Sequence, residues 1–355
     1  MFLCLKHYIL TKYLNPLFKV PFMFEKLHQD KAAPIKLDLK DIKILYELGL
    51  DGRQSISKLA KKVQLSKQGV KYKIEKLTKE GVIEGYLAVI DLYRLGYVLH
   101  RVFFRFQYIT REQMIEIIDF AKNHPNISAI QQFFGAWDMA LIISAKNVFE
   151  FNQVLKTVYE KFENLIKGEM ITIITDIHQF RHTYADDKYE GAASLHLGGE
   201  LGTETIDEFD EKILQLLASD GRIPLFEIAR QLDASDKKVV YRIKKLIERK
   251  ILLGFTVLLN KDKLDLEQYK IFLTLKNTSQ ERERELISHC KFNKQIIQLT
   301  KILGRNAIEI DCVVHNKKEA QQILEEIQLK YADIISNTLT AVVVSEKQIH
   351  YLPRK

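Results

Sequence analysis

Cysteine is scarce in this chain. Three occur among 355 residues, Cys4, Cys290 and Cys312, and no two stand at a paired spacing. That excludes a disulfide framework and a cysteine-built zinc site, and it fits a reducing, cytoplasmic compartment. Long apolar runs are also lacking. The opening stretch MFLCLKHYILTKYLNPLFKVPF is broken by Lys6, Lys12 and Lys19 and by Pro16 and Pro21. It can neither span a membrane nor supply the unbroken core and small-residue cleavage site of a signal peptide. No Ser-His-Asp set, paired carboxylates or phosphate-cradling loop occurs, so no catalytic residue is assigned and no enzyme is expected. His178 and His182 lie near Asp186 and Asp187, but they straddle the end of a strand and do not converge on one point. Neither a metal nor a cofactor is expected.

What remains is a basic chain of otherwise ordinary composition. The hydrophobic fraction of 46% and charged fraction of 28% are those of a soluble globular protein with ample core. The formal charge of +8 favours a polyanionic partner.

One stretch organises the rest, DGRQSISKLAKKVQLSKQGVKYKIEKLTKEGVIEG, from Asp51 to Gly85. It predicts two short helices and a sharp turn. Ser66 is placed to cap the second helix, Val70, Ile74 and Leu77 form its apolar stripe, and Gly81 is its stop. Lys67, Gln68, Lys71 and Tyr72 occupy the opposite face, flanked by Lys73, Lys76 and Lys79. A short, basic, capped helix after a turn and a smaller helix is the arrangement that enters a DNA major groove.

The stretch occurs twice. An offset of 169 carries Arg53 to Arg222 without a gap, and Asp51, Gly52, Ala60, Ser66, Val70, Tyr72, Ile74, Lys76, Leu77 and Gly85 recur identically. The chain is a tandem duplication. Each copy opens with a further helix (from about Leu37 in the first, with Asp38 as N-cap) and is followed by a short strand near Tyr86–Ile90, a wing or a connector. Strand-like and helical stretches then alternate as β-α-β-β-α-β, from Val98–Tyr108 to Met170–Phe180 and again from Tyr269–Asn277 to Ile334–Val344.

The expected fold class is therefore α+β: a winged helix-turn-helix followed by a ferredoxin-like βαββαβ domain, repeated twice. The domains are drawn at 35–92, 93–182, 205–262 and 263–355, after a poorly ordered extension at 1–34. A glycine-interrupted flexible linker is expected over 183–204.

This order of modules resembles the Lrp/AsnC (feast/famine) family of prokaryotic transcription regulators. The resemblance rests on Leu37-Asp38, Asp41 to Leu45, Asp51-Gly52-Arg53, Leu59-Ala60, Leu65-Ser66, Val70, Ile74, Leu77 and the run Gly81 to Tyr86. Gly135 and Trp137-Asp138, at the turn between the two middle strands, carry it in the sheet domain. It implies double-stranded DNA as the partner of the first module, with dimerisation and sensing of a small molecule, often an amino acid, by the second. The chain departs from the family pattern in carrying two copies, in Asp236 and Val240 where the first copy has Lys67 and Lys71, and in Ala307 where it has Asp138.

Lys67, Gln68 and Lys71 are the candidates for base edges, since Gln pairs with adenine and Lys with guanine. Arg53, Ser66, Lys73 and Lys76 are assigned to phosphate and Tyr72 to the same face. In the second copy the candidates are Arg222, Ser235, Lys237, Lys238, Tyr241, Arg242 and Lys244. Gly135, Trp137 and Asp138 are the candidate effector site, the turn offering amides to a carboxylate and Asp138 an acceptor to an ammonium group. With both sheet domains on one chain, an intramolecular pseudo-dimer is expected, with two non-identical readers and the remaining surfaces open to further homo-oligomer assembly. The alternative is a tetrapyrrole-modifying enzyme like the siroheme decarboxylases, which share the two-module plan. Their His-Asn-Tyr segment and Asn-x-Trp-Phe run are replaced here by QQFFGAWDM and QLTKILGRNA.

Overall fold

The structure is a computed structural model describing residues 34–180, 194–304, 307–348 and 352–353. The expected extension, except Pro34, lies outside these residues, as do His182, Asp186 and Asp187.

Three helices open each half. In the first they are α1 (Leu39–Leu50), α2 (Ile56–Val63) and α3 (Lys67–Lys79). Asp38 accepts from the amides of Lys40 and Asp41, and the Asp41 carboxylate answers the Asp38 amide, which closes a capping box. Ser66 accepts from the Gly69 amide at 3.0 Å and starts α3. Gly81, at φ +75°, ends it by letting the Gly81 and Val82 amides fold back onto Thr78 and Leu77.

Strand β1 (Ile83–Ile90) follows, then β2 (Val98–Phe106), α4 (Arg111–Asn123), β3 (Ile127–Gly135), β4 (Met139–Ala145), α5 (Val148–Phe162) and β5 (Ile166–Phe180). After β6 (Ser194–Gly198) the second half repeats the plan. It runs α6 (Glu208–Ser219), α7 (Leu225–Gln231), α8 (Asp236–Glu248), β7 (Leu252–Leu259), β8 (Glu267–Leu275), α9 (Gln280–Phe292), β9 (Ile296–Ile302), β10 (Ala307–Val314), α10 (Lys317–Lys330) and β11 (Ile335–Gln348).

The halves exchange strands at two levels. Between the helical modules β1 pairs antiparallel with β7, so neither strand is a free-standing wing. Each module is closed by the other's strand. Val257 and Leu259 of β7 pack with Ile44, Leu48, Val70 and Leu77, while Ala88 and Ile90 of β1 pack with Ile213, Leu217, Val239 and Leu246.

In the sheet domains the two last strands are long enough to serve both halves. The first part of β5 pairs with β2, and its end continues onto β9. The first part of β11 pairs with β8, and its end continues onto β3. The pairings run β2-β4-β3-β11-β8-β10-β9-β5 and return to β2, which closes eight strands from both halves into one ring. Helices α4 and α5 cover the outside of the first half over Val102, Phe104, Leu141 and Ile143. α9 and α10 cover the second over Ile271, Leu273, Ile308 and Ile310.

The linker expectation needs correction. Residues 194–198 form β6, which pairs with the end of β5. Beyond it the amides of Gly202 and Glu204 donate to the carbonyls of Tyr93 and Arg94. A Cβ on Gly202 would lie 2.6 Å from the Arg94 carbonyl oxygen, so glycine here permits close docking and does not loosen the chain. The described part of the connection is a strapped strand, and residues 183–193 lie outside the described set.

Candidate nucleic-acid interface

Two helices carry the candidate surface, α3 and α8. Each buries its apolar stripe, with Val70 and Leu77 in one and Val239 and Leu246 in the other at 0–1% exposure. The period of the helix then turns the opposite face outward. Lys67, Gln68, Lys71, Tyr72 and Lys76 are exposed on α3, with Tyr72 67% accessible. Lys237, Lys238, Tyr241 and Lys244 are exposed on α8, with Tyr241 57% accessible. Lys71 and Lys76 approach Glu75 and Glu80 only at 3.8 and 3.9 Å. Such exposed pairs are weak, which leaves both ammonium groups available to phosphate. Lys245, the counterpart of Lys76, shares the α8 face, and the 169-residue offset is the signal that finds it.

Four candidates are already committed elsewhere. Arg53 places its guanidinium 5.2 Å from the Phe255 ring centroid and donates to the Gly221 carbonyl. Arg222 lies 5.0 Å from the Tyr86 ring and donates to the Tyr86 hydroxyl and the Gln54 carbonyl. These arginines lock the two helical modules together, so their guanidinium groups are engaged within the protein where phosphate contacts were expected. The glycines beside them belong to the same lock. Gly52 donates to the Phe255 carbonyl and Gly221 to that of Tyr86. A Cβ at either position would stand 2.9 Å from the Thr256 oxygen or 2.8 Å from the Leu87 carbonyl carbon.

Lys73 and Arg242 are engaged within the protein likewise. Lys73 Nζ pairs with Asp38 at 2.6 Å and Asp41 at 2.9 Å. Its hydrogen bond holds the Asp38 carboxyl below the usual range, and the two acids raise the lysine despite burial. Arg242 binds Asp207 at 2.7 Å and Asp210 at 3.2 Å in the same way. Both fasten the exposed helix to the start of its module. Lys238 lies 4.1 Å from the Phe209 ring centroid, and the Ser66 and Ser235 hydroxyls serve as caps, accepting from the Gly69 and Lys238 amides.

The candidate effector turn is built differently from expectation. Gly135 takes φ +124° and lies against Thr340 and Ala341 of β11, so the turn touches the other half. Trp137 packs on Phe103 at 5.6 Å, in a cluster with Phe133, Ala140, Ala341 and Val343. The Asp138 carboxylate accepts from the Phe106 amide at 2.7 Å, and burial pushes its carboxyl up. One carboxylate oxygen is thus engaged by the end of β2, a contact that the sequence reading did not include.

His178 meets a partner that its spacing did not suggest. His196 of β6 stacks on it at 4.6 Å and bonds Asp176 at 2.8 Å, and the ligand atoms of the three lie within 4.8 Å of one another. Lys301 Nζ stands 3.7 Å from the other Asp176 oxygen, supplying positive charge there.

Paired helix-turn-helix modules with basic outer faces, fixed on a shared sheet, define a DNA-binding regulator. Residues 37–84 match the model for winged helix-turn-helix DNA-binding domains, and 206–247 that for AsnC-type helix-turn-helix domains. A proline dehydrogenase transcriptional activator of Rhizobium radiobacter is 33% identical over 121 residues, covering 34% of this chain and 77% of that protein. An HTH-type transcriptional regulator of Pyrococcus furiosus is 28% identical over 142 residues, covering 39% of this chain and 92% of that protein. Among solved structures, the siroheme decarboxylase NirDL shares the fold with a TM-score of 0.58 at 15% identity, over 88% of this chain and 94% of that one. The chain belongs to the Lrp/AsnC family of transcription regulators, in a duplicated form, and is a DNA-binding protein.

Proposed function

We propose that one chain works in the cytoplasm as a pseudo-dimer whose two readers, α3 and α8, engage one operator that lacks two-fold symmetry. The observation that carries this is the β1–β7 ribbon with its reciprocal arginines, which fixes two unlike helices as a pair. A symmetric dimer favours a palindrome because its two helices are the same. Here α3 offers Lys67, Gln68 and Lys71 where α8 offers Asp236, Lys237 and Val240. Selection of bound duplexes from a random pool tests the proposal. An asymmetric consensus is expected, and a palindrome would refute it.

The Gly135–Asp138 turn is the proposed place for a small carboxylate-bearing effector such as an amino acid. Its contact with β11 supports this, because a molecule seated there bears on the junction between halves. Titration calorimetry with the common amino acids tests it. At most one site per chain is expected, and Asp138→Ala should weaken it.

The whole-chain likeness to NirDL favours a second reading, a tetrapyrrole-modifying enzyme. Against it, the candidate turn carries Gly135, Ala136, Trp137 and Asp138 with no histidine, and Trp137 is packed on Phe103. A Soret band on adding an iron tetrapyrrole would support the enzyme.

A further inference from the structure

Inside the closed ring of strands lies a set of charges that the family reading does not require. Arg101 of β2 is 1% exposed and Lys270 of β8 fully buried, with Glu309 and Asp311 of β10 at 1% and 2%. Arg101 reaches across the interior to Glu309. Lys270 bonds Glu309 at 3.2 Å and Asp311 at 2.7 Å, and Gln268 donates to Asp311 at 3.0 Å. At the rim, Gln131 of the first half donates to Glu346 of the second at 2.8 Å.

The duplication shows how these charges are divided. Arg101 and Lys270 are equivalent under the 169-residue offset, so each half supplies one buried cation. Glu309 and Asp311 correspond to Ala140 and Ile142, so only the second half supplies carboxylates. The first half brings one positive charge and no acid, and the second brings one positive and two negative. Joined, the four buried groups balance. Two first halves would bury two arginines with no acid between them, and two second halves would bury four carboxylates against two lysines. An uncompensated buried charge is among the costliest defects an interface can hold.

Several of the other contacts between halves cannot discriminate in this way. Arg53 on Phe255 and Arg222 on Tyr86 are near-equivalents under the same offset, and so are the exchanges β5 to β9 and β11 to β3. A surface that repeats itself admits either half. The buried asymmetry sits in the interior charges, and the half-buried pair of Asp176 with Lys301, whose counterpart is uncharged Ser345 on Gln132, adds to it.

We propose that Arg101, set against Glu309 and Asp311, makes the sheet of residues 98–180 selective for the sheet of residues 267–348. The surface that single-copy regulators use for like-with-like dimers is thereby closed to a like partner. This rests on the pseudo-dimer proposed above, and it adds that the pairing is chosen by charge and not by the tether alone.

The test uses the full chain with a protease site inserted after residue 187. Cleaved without unfolding, the two fragments should remain a one-to-one complex in native mass spectrometry. Separation at this step would refute the pseudo-dimer itself. The cleaved protein is then unfolded in urea and refolded, and its dimers are sorted by mass. Like-with-like dimers are expected to be at least ~100-fold rarer than mixed ones. A statistical mixture would overturn the charge selection while leaving the pseudo-dimer standing. The double variant Arg101→Met with Glu309→Met removes the ion pair and leaves Lys270 with Asp311. It should fold, melt above the single variant Glu309→Met, and admit like-with-like dimers after refolding. Mixed dimers alone from this variant would show that shape, and not charge, makes the choice.

Discussion

Arg53 lays its guanidinium over the ring of Phe255, a residue 202 positions later in the chain. Its counterpart Arg222 does the same over Tyr86, and each arginine also binds a backbone carbonyl of the opposite module. A repeated motif that looks like a pair of phosphate clamps is therefore a reciprocal lock. It sets the separation and orientation of α3 and α8.

Breaking that lock should uncouple the readers. Arg53→Met with Arg222→Met removes two partly desolvated cation–π contacts, each worth about 1–2 kcal/mol. Affinity for the full operator should fall, while the salt dependence of binding is retained. Titration by fluorescence anisotropy over a range of salt checks both, and a slope reduced by two contacts would return the arginines to the DNA surface.

Lys67→Ala with Lys71→Ala should act oppositely. Each lost phosphate contact reduces the slope of log affinity against log salt by about 0.9, with stability nearly unchanged at these exposed sites. Lys73→Ala separates the two roles. It leaves buried Asp41 without its cation, which should cost about 1–3 kcal/mol in urea denaturation with little change in the salt slope.

Making the readers alike should restore symmetry. Asp236→Lys with Val240→Lys gives α8 the cations of α3 at the same positions, and both sites are exposed. Selected DNA should then move toward a palindrome. An unchanged consensus would remove α8 from base reading.

His178 sets a pH dependence. Burial and the neighbouring His196 lower its pKa from 6.5 to about 4. A histidine depressed in the folded state contributes stability that is present above its unfolded pKa. That contribution is lost as pH falls through the folded value. The melting temperature should therefore drop between about pH 6.5 and 4 through this residue, and His178→Gln should flatten that drop. Identical pH profiles for the two proteins would refute the assignment.

The sequence by itself determined the repeat, the helices and most strands, because these depend on local periodicity and capping. Asp38 and Ser66 cap the helices their neighbours predicted. It also determined which faces of α3 and α8 turn outward, since the buried stripe fixes the opposite side. Tertiary structure alone decided what the charged residues do. Arg53 and Lys73 read as phosphate-facing, and Asp138 as unengaged, because charge along a chain carries no record of its distant partner. Phe255 stands far off in sequence, Asp38 lies two helices away, and the Phe106 amide comes from another strand. His196 met His178 only because β6 formed inside a stretch whose glycines read as flexible. The ionic interior was hidden for the same reason. Arg101 and Glu309 are brought together by strands closing into a ring, and a local pattern does not record that closure.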